Sequence, residues 1–299
     1  MVVGLVGCGR WGRHILRDLD ALGCEVPVVA RSYASVARAR EGGAAAIVED
    51  VNDLPELDAV VVATTTSTHA ALVERVLELG IPVFCEKPLT DDPEAAARLA
   101  VAAPGSLFVM DKWRYHPGVV ELASIAADGR LGAVAGISTT RLGWGIPHDD
   151  VDAVWVLAPH DVSIALEVLG SVPKPRSAVG QIVDGRVVSL SAHLDADDAW
   201  HTFEVSSVSP VRERRVELRC AEGVAVLAGA WDEHVSLFRA GTEEPEEARI
   251  ETPGELPLLA QLRVFVEHVR GGRAPKSSAS EGAAIVSALA ELRRLAGVR

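Results

Sequence analysis

A glycine-rich loop near the start of the chain constrains the fold more than any other feature. The pattern G-x-G-x-x-G directly follows an apolar run, Val2–Val6, that is typical of a buried strand, and precedes the amphipathic stretch His14–Leu22. Such glycines permit a tight turn, close approach of the backbone to a pyrophosphate, and close strand–helix contact. The following helix N-terminus offers N–H donors to phosphates. The loop residues that we assign to a dinucleotide are Gly7, Gly9, Arg10, Trp11 and Gly12.

The pattern of apolar runs divides the chain into two predicted domains. Up to residue 118, short apolar runs alternate with helical stretches, which predicts βαβ units and a parallel sheet. Beyond it, residues 177–239 alternate with period two, which predicts an antiparallel sheet. The predicted fold is α/β: an N-terminal Rossmann domain with a parallel sheet over residues 1–118, and a C-terminal α+β domain with an open, mainly antiparallel sheet over residues 119–299.

Composition and charge exclude several classes of partner. Of the 299 residues, 42 are acidic and 29 are basic, so the formal net charge of −13 disfavours nucleic acid and anionic membranes. No apolar run reaches the roughly 18 residues that a membrane span needs, and the pattern of the first residues predicts a strand and no signal peptide. The four cysteines lack C-x-x-C spacing. We therefore expect a cytoplasmic protein without a metal site.

The end of the second predicted strand points to the type of dinucleotide. An NAD-binding fold usually carries Asp or Glu about 20 residues past the glycines, where it binds the ribose 2′-OH. Ala30 occupies that position, and Arg31 and Ser32 follow. Arg31 offers a guanidinium to a 2′-phosphate. We therefore expect NADP(H) to be favoured over NAD(H), the alternative being that Arg31 is a solvated loop residue.

Two further segments contain candidate catalytic residues. Glu86 and Lys87 follow an apolar strand, and ligands of open parallel sheets bind at the carboxyl ends of strands. The alternative for this pair is a surface ion pair. Pro159 suits a first helical turn, so we expect His160 near the positive end of a helix dipole, where a neutral imidazole can act as a base. The alternative for His160 is a partly buried structural histidine.

Several motifs in this order resemble those of the glucose-fructose oxidoreductase/inositol dehydrogenase/MocA (Gfo/Idh/MocA) family. Besides the glycine loop, they are Thr64-Thr65-Thr66-Ser67-Thr68-His69, Glu86-Lys87-Pro88-Leu89, Arg114-Tyr115-His116-Pro117, Gly129-Arg130-Leu131-Gly132 and Ala158-Pro159-His160-Asp161. The resemblance implies hydride transfer between NAD(P) and a sugar, cyclitol or related alcohol or ketone. It also implies that Lys87 positions the reacting oxygen, that His160 acts as acid or base, and that the C-terminal sheet forms a homo-oligomer, a dimer or tetramer. Thr64, Thr65, His69, Glu86 and Lys87 complete the expected set of cofactor-binding residues.

The resemblance also gives the expected substrate residues, with one departure. We assign Arg114, Tyr115, Trp144, Val156 and His160 to the substrate. Relatives usually carry Asp four residues before the histidine, and Val156 stands there. Trp144 and Trp155 could stack on a sugar or pack in the core. His148, Asp149, Asp150 and Asp152 could form a metal cluster, but an acidic loop explains them better.

These observations predict an NADP-dependent oxidoreductase acting on CH-OH groups of a sugar-like substrate, either a nucleotide-linked ketosugar or a deoxysugar. Two alternatives remain open. One is a non-catalytic dinucleotide sensor of the same fold, which Val156 favours. The other is a reductase of an imine or an aromatic diol.

Overall fold

The computed structural model describes residues 1–145, 150–241 and 247–298. The chain forms two compact units. The N-terminal unit comprises Met1–Lys112 and Leu256–Val286, and the C-terminal unit comprises Trp113–Glu255 and Ser287–Arg299. Among the described helices, none combines the length and the apolar character needed to cross a membrane.

The N-terminal unit contains the predicted parallel sheet. Its strands are β1 (Val3–Val6), β2 (Pro27–Val29), β3 (Ala46–Val48), β4 (Ala59–Val62), β5 (Val83–Cys85) and β6 (Leu107–Val109). They are ordered β3-β2-β1-β4-β5-β6, and every neighbouring pair is parallel. The helices between them are α1 (Gly12–Ala21), α2 (Tyr33–Glu41), α3 (His69–Leu77) and α4 (Pro93–Ala102). This strand order is that of a Rossmann fold, as predicted.

A helix from the C-terminal part of the chain completes the core of the N-terminal unit. Helix α7 (Pro257–Val269), the seventh along the chain, buries Leu262 and Phe265 there, and Phe265 stacks on Phe84 of β5 with ring centroids 4.8 Å apart. The grouping therefore differs from the predicted division into 1–118 and 119–299. The difference arises because the apolar face of α7 packs against Rossmann strands and helices.

The C-terminal unit contains an eight-stranded sheet. Its strands are β7 (Val134–Trp144), β8 (Lys174–Val183), β9 (Arg186–Ala196), β10 (Ala199–Ser206), β11 (Val208–Cys220), β12 (Gly223–Leu227), β13 (His234–Arg239) and β14 (Glu247–Glu251). Only the β7–β10 pair is parallel among the described strand pairs of this sheet, so the sheet is mainly antiparallel, as predicted. Helices α5 (Pro117–Asp128) and α6 (Ala153–Leu169) pack on one face, where they bury Leu122 and Ile164 against Ile137 and Val216. Helix α8 (Ala279–Leu295) is the last helix of the chain.

Candidate functional site

The glycine loop connects β1 to α1, as the sequence predicted. Gly7 has a φ of +97°, and a Cβ there would lie 2.7 Å from the carbonyl oxygen of Ala63. A Cβ on Gly12 would overlap the carbonyl oxygen of Gly7. A Cβ on Gly9, by contrast, would meet no atom within 4 Å. Two glycines thus allow the backbone to close on itself, and the middle glycine leaves open space beside the loop.

Helix α1 begins directly after this open space. It starts at Gly12, and its N-cap residue, Trp11, makes no side-chain capping hydrogen bond. The N–H groups of Arg13 and His14 donate to the carbonyl oxygens of Gly9 (3.3 Å) and Trp11 (2.8 Å), which close the first turn of the helix. The space beside Gly9 and the positive end of the α1 dipole fit the pyrophosphate of a dinucleotide.

Arg31 and Ser32, the residues expected at a 2′-phosphate, both make contacts within the chain. The Arg31 side chain is 69% exposed; its Nε donates to the carbonyl oxygen of Glu49 (2.9 Å), and its Nη2 lies 3.2 Å from a carboxylate oxygen of Asp50. The Ser32 hydroxyl caps α2 by accepting from the N–H of Ser35 (3.1 Å). Arg31 remains accessible, but a phosphate would have to share it with Asp50.

Thr64, Thr65 and His69 lie between β4 and α3. The hydroxyls of Thr64 and Thr68 are 2.7 Å apart, and Thr65 is exposed. His69 is buried, and its two ring nitrogens lie 2.9 Å from the carbonyl oxygen of Pro88 and 3.3 Å from that of Thr64. His69 therefore ties the segment after β4 to the segment after β5.

The Glu86–Lys87 segment follows β5 and contacts the glycine loop. The indole Nε1 of Trp11 donates to Oε1 of Glu86, and the backbone N–H of Lys87 donates to Oε2 of Glu86 (3.1 Å). Burial raises the pKa of the Glu86 carboxyl, while the charges of Lys87 and Lys112 oppose this shift. The Lys112 ammonium lies 4.1 Å from the centre of the Trp11 ring. Glu86 thus fixes both the indole and the backbone that carries Lys87.

In the C-terminal unit, His160 lies on α6, but not at the predicted place in the helix. Asp152 caps α6 by accepting from the N–H of Val154 (3.1 Å), so Pro159 stands inside the helix and His160 follows about two turns from its start. The expectation that His160 lies at the positive end of the helix dipole is therefore wrong. The prediction failed because Pro159, typical of a first turn, is accommodated within the helix.

The three acidic groups of α6 each bind an arginine. Asp161 is buried, and its carboxylate binds Arg141 of β7 at 2.8 and 3.4 Å. At the N-cap, Asp152 accepts from Nε of Arg293 (2.9 Å), and Glu167 accepts from Nε of Arg114 (3.0 Å). Arg114, expected at the substrate, is thus a buried partner of Glu167. Val156 lies one turn before His160 on the same face of α6 and is 7% exposed.

The remaining predicted residues have contrasting surroundings. Trp144, at the end of β7, is 77% exposed. Trp155 is buried, and the guanidinium of Arg293 lies 5.7 Å from the centre of its ring. Of the two alternatives, core packing therefore applies to Trp155 and not to Trp144. Tyr115 lies in a short 3-10 turn, Lys112–Tyr115. No group of three metal-ligating side chains occurs among the described residues, and His148 and Asp149 lie outside them.

Sequence reasoning missed several residues that shape these surroundings. Lys112 lies three residues after the end of β6, and the strand-end argument applied to Lys87 would have found it. Arg141 falls on the core-facing side of β7, where a buried arginine requires an acidic partner. Asp50 had no usable signal, because β3, the strand before it, was itself not predicted.

The family model described as an oxidoreductase family with an NAD-binding Rossmann fold matches residues 1–106. This match covers the N-terminal part of the chain and agrees with the resemblance of its motifs to the Gfo/Idh/MocA family. The N-terminal unit is accordingly an NAD(P)-binding Rossmann fold, in agreement with the space beside Gly9 and the uncapped start of α1.

Two curated relatives align with substantial parts of the chain. A myo-inositol dehydrogenase from Streptomyces leeuwenhoekii is 37% identical over 141 residues, which cover 45% of this chain and 43% of that protein. A UDP-N-acetylglucosamine 3-dehydrogenase from Acidithiobacillus ferrooxidans is 29% identical over 223 residues, which cover 72% of this chain and 67% of that protein. The chain thus spans 43% and 67% of the lengths of these two relatives.

Solved structures match the fold over nearly the whole chain. The structure of the Acidithiobacillus ferrooxidans enzyme superposes with a TM-score of 0.85 at 22% identity, covering 99% of this chain and 97% of that one. A levoglucosan dehydrogenase in complex with NADH and levoglucosan gives a TM-score of 0.88 at 16% identity, with the same coverage. At these identities the likeness establishes the fold.

Proposed function

We propose that this chain is an NADP-dependent oxidoreductase that acts on the CH-OH or carbonyl carbon of a sugar-like substrate. The observation that carries the proposal is the placement of Lys87. It follows β5 at the carboxyl edge of the Rossmann sheet, and Glu86 links its backbone to Trp11 of the glycine loop. A lysine whose backbone is held beside a dinucleotide-binding loop suits the polarisation of a substrate oxygen.

The bound nicotinamide supplies the hydride donor or acceptor. The chain's own contribution begins with Lys87, whose ammonium donates a hydrogen bond to the reacting oxygen and stabilises negative charge there. His160 gives a proton to that oxygen during reduction and removes it during oxidation. Such general acid–base assistance contributes about 10²- to 10⁴-fold to a rate. Trp11 and Glu86 hold the glycine loop next to the segment that carries Lys87.

Val156 supports a finer proposal about the substrate. The two carboxylates that flank Val156 and His160 in sequence are bound to arginines: Asp152 to Arg293 and Asp161 to Arg141. No carboxylate therefore replaces the aspartate that Val156 displaces among the described residues of α6. A substrate hydroxyl facing Val156 would lose a hydrogen bond, at a cost of about 1–3 kcal/mol. We therefore propose a less hydroxylated substrate, such as a deoxysugar or a nucleotide-linked ketodeoxysugar.

Steady-state assays of ketosugar reduction with NADPH test the proposal. Lys87→Ala and His160→Ala should bind dinucleotide and lose about 10²- to 10⁴-fold in turnover. Lys174→Ala and His234→Ala, which remove the same residue types elsewhere, should retain it. If Lys87→Ala or His160→Ala keeps nearly full activity on the true substrate, the role given to that residue is refuted.

A second assay series separates the enzyme from a dinucleotide sensor, which Val156 also favours. Specificity constants for matched deoxy and hydroxy substrates should favour the deoxy member, and Val156→Asp should reduce that preference. If the protein turns over no substrate and Val156→Asp creates activity, the sensor is the better description. An unchanged ratio in Val156→Asp would refute the substrate proposal alone.

We also propose that the C-terminal sheet mediates assembly into a dimer or tetramer. The face turned away from α5 and α6 carries Val179, 76% exposed, and a hydrogen-bonded hydroxyl pair, Ser138 and Thr202 (2.7 Å). These residues line a groove of about 480 Å³. Analytical ultracentrifugation should show an oligomer that Val179→Asp together with Thr202→Arg weakens, while Val101→Asp on α4 does not. A monomeric wild type would refute this assignment.

A further inference from the structure

Asp50 binds two arginines beside the place where a dinucleotide's adenosine ribose is expected. Its carboxylate lies 3.2 Å from Nη2 of Arg31, and the guanidinium of Arg75, on α3, binds both of its oxygens. Asp50 also caps the following turn, because its Oδ1 accepts from the N–H of Asn52 (3.0 Å). The hydrogen bonds from Arg75 and from the Asn52 N–H lower the pKa of Asp50, which keeps it anionic.

The sheet explains why Asp50 and Arg31 meet. Strands β2 and β3 are parallel neighbours in which Val29 pairs with Val48. The residues that follow them, Arg31 and Asp50, therefore emerge at the same carboxyl edge, where open sheets of this type bind their ligands.

The Arg31 guanidinium is divided between two acceptors of its own chain. Its Nε donates to the carbonyl oxygen of Glu49 and its Nη2 to Asp50, while 69% of the side chain stays exposed. A 2′-phosphate that binds Arg31 must compete with Asp50 for the Nη2 donor and must also approach the Asp50 charge.

We infer that Asp50 is a specificity-determining residue that limits how strongly Arg31 favours a 2′-phosphorylated dinucleotide. This inference rests on the proposed function, because it assumes that Arg31 faces the adenosine ribose. Arg75 moderates the effect by taking most of the hydrogen-bonding capacity of Asp50. The preference for NADP over NAD is therefore set by three residues that follow or flank different strands.

Removal of the Asp50 charge should raise the preference by a modest factor. An exposed ion pair such as Arg31–Asp50 changes an affinity by no more than about fivefold, because solvent screens it. The loss of repulsion toward the phosphate adds to this. We expect the ratio of the affinity for NADP⁺ to the affinity for NAD⁺ to rise about 3- to 10-fold in Asp50→Asn.

Calorimetric titration at 0.15 M salt tests the inference with NADP⁺ against NAD⁺, and with adenosine 2′,5′-bisphosphate against AMP. Asp50→Asn and Asp50→Ser both keep an oxygen that can cap Asn52, and both should raise the two ratios. Glu49→Gln is the matched control, since it removes one negative charge from the residue before Asp50 but keeps the backbone carbonyl that accepts from Arg31. The control should change the ratios less than about twofold, because exposed charges are screened over about 8 Å.

The variant Arg31→Ala gives the decisive comparison. Asp50→Asn should have no effect on the ratios in the Arg31→Ala background. Equal effects of Glu49→Gln and Asp50→Asn, or an Asp50→Asn effect that persists without Arg31, would overturn the inference. If the wild type binds the dinucleotides but Asp50→Asn leaves both ratios unchanged, the inference fails and the proposed function stands. If it binds none of the four ligands, both fail.

Discussion

The buried ion pair between Arg141 and Asp161 allows the sharpest test of what stabilises the C-terminal unit. Their side chains are 5% and 1% exposed, and the Arg141 guanidinium lies 4.7 Å from the ring centre of Trp113. Arg141→Met keeps most of the side-chain volume but leaves the Asp161 charge buried without this partner. Breaking a buried pair from one side costs about 3–5 kcal/mol, and the lost cation–π contact adds about 1 kcal/mol. We therefore expect destabilisation of about 4 kcal/mol or more.

Equilibrium unfolding in urea, followed by intrinsic fluorescence, measures this change. The matched control is Arg294→Met, which breaks the pair with Glu291 on α8, where the side chains are 65% and 39% exposed. It should cost little stability, because solvent screens an exposed ion pair. The double variant Arg141→Met/Asp161→Leu should recover most of the lost stability, because it leaves no unpaired charge. If Arg141→Met costs no more than the control, or the double variant recovers nothing, an unpaired buried charge is not the cause.

Three further predictions concern the glycine loop and a buried histidine. Gly12→Ala should destabilise the protein, because its Cβ would overlap the carbonyl oxygen of Gly7, and a thermal unfolding scan should show a lower Tm. Gly9→Ala should leave the Tm unchanged but weaken dinucleotide binding in calorimetry, since its Cβ would meet no atom of the chain and would fill the open space; unaltered affinity would contradict this placement. Burial lowers the pKa of His201 to about 3, so its native state resists protonation. Stability should therefore fall as the pH drops from about 6 towards 4, by roughly 1 kcal/mol per pH unit from this group alone. His201→Gln should flatten that slope in urea titrations, and an unchanged slope would exclude His201 as its source.

The sequence patterns predicted the two sheets because both depend on local periodicity. Runs of buried Val, Ala and Phe mark the central strands of the Rossmann sheet, and alternation marks β9 and β11. Strand β3 was missed because its three residues, Ala46–Val48, are short, begin with alanine and are only partly buried at the sheet edge. Strand β14, at the edge of the other sheet, was also missed.

The candidate site was predictable only where chemistry follows a local pattern. The glycine loop and the Glu86–Lys87 segment carry their signals within a few residues of a strand. The surroundings of α6 depend instead on distant partners: Asp161 binds an arginine 20 residues away, and Asp152 binds one 141 residues away. Such pairing is set by tertiary packing, so the spacing of residues along the sequence does not predict it.

Helix α7 belongs to the N-terminal unit but is synthesised after most of the C-terminal unit, which affects how this protein folds during synthesis. Residues 1–112 contain all six Rossmann strands, yet the face of Phe84 is covered only when Phe265 arrives. About 150 residues separate β6 from that helix, and synthesis at about 5–20 residues per second takes roughly 7 to 30 s to produce them. During that interval we expect the apolar residues that α7 contacts, such as Phe84, to be exposed. A nascent chain stalled before α7 should therefore bind a hydrophobic-segment chaperone that a chain extended through α7 releases.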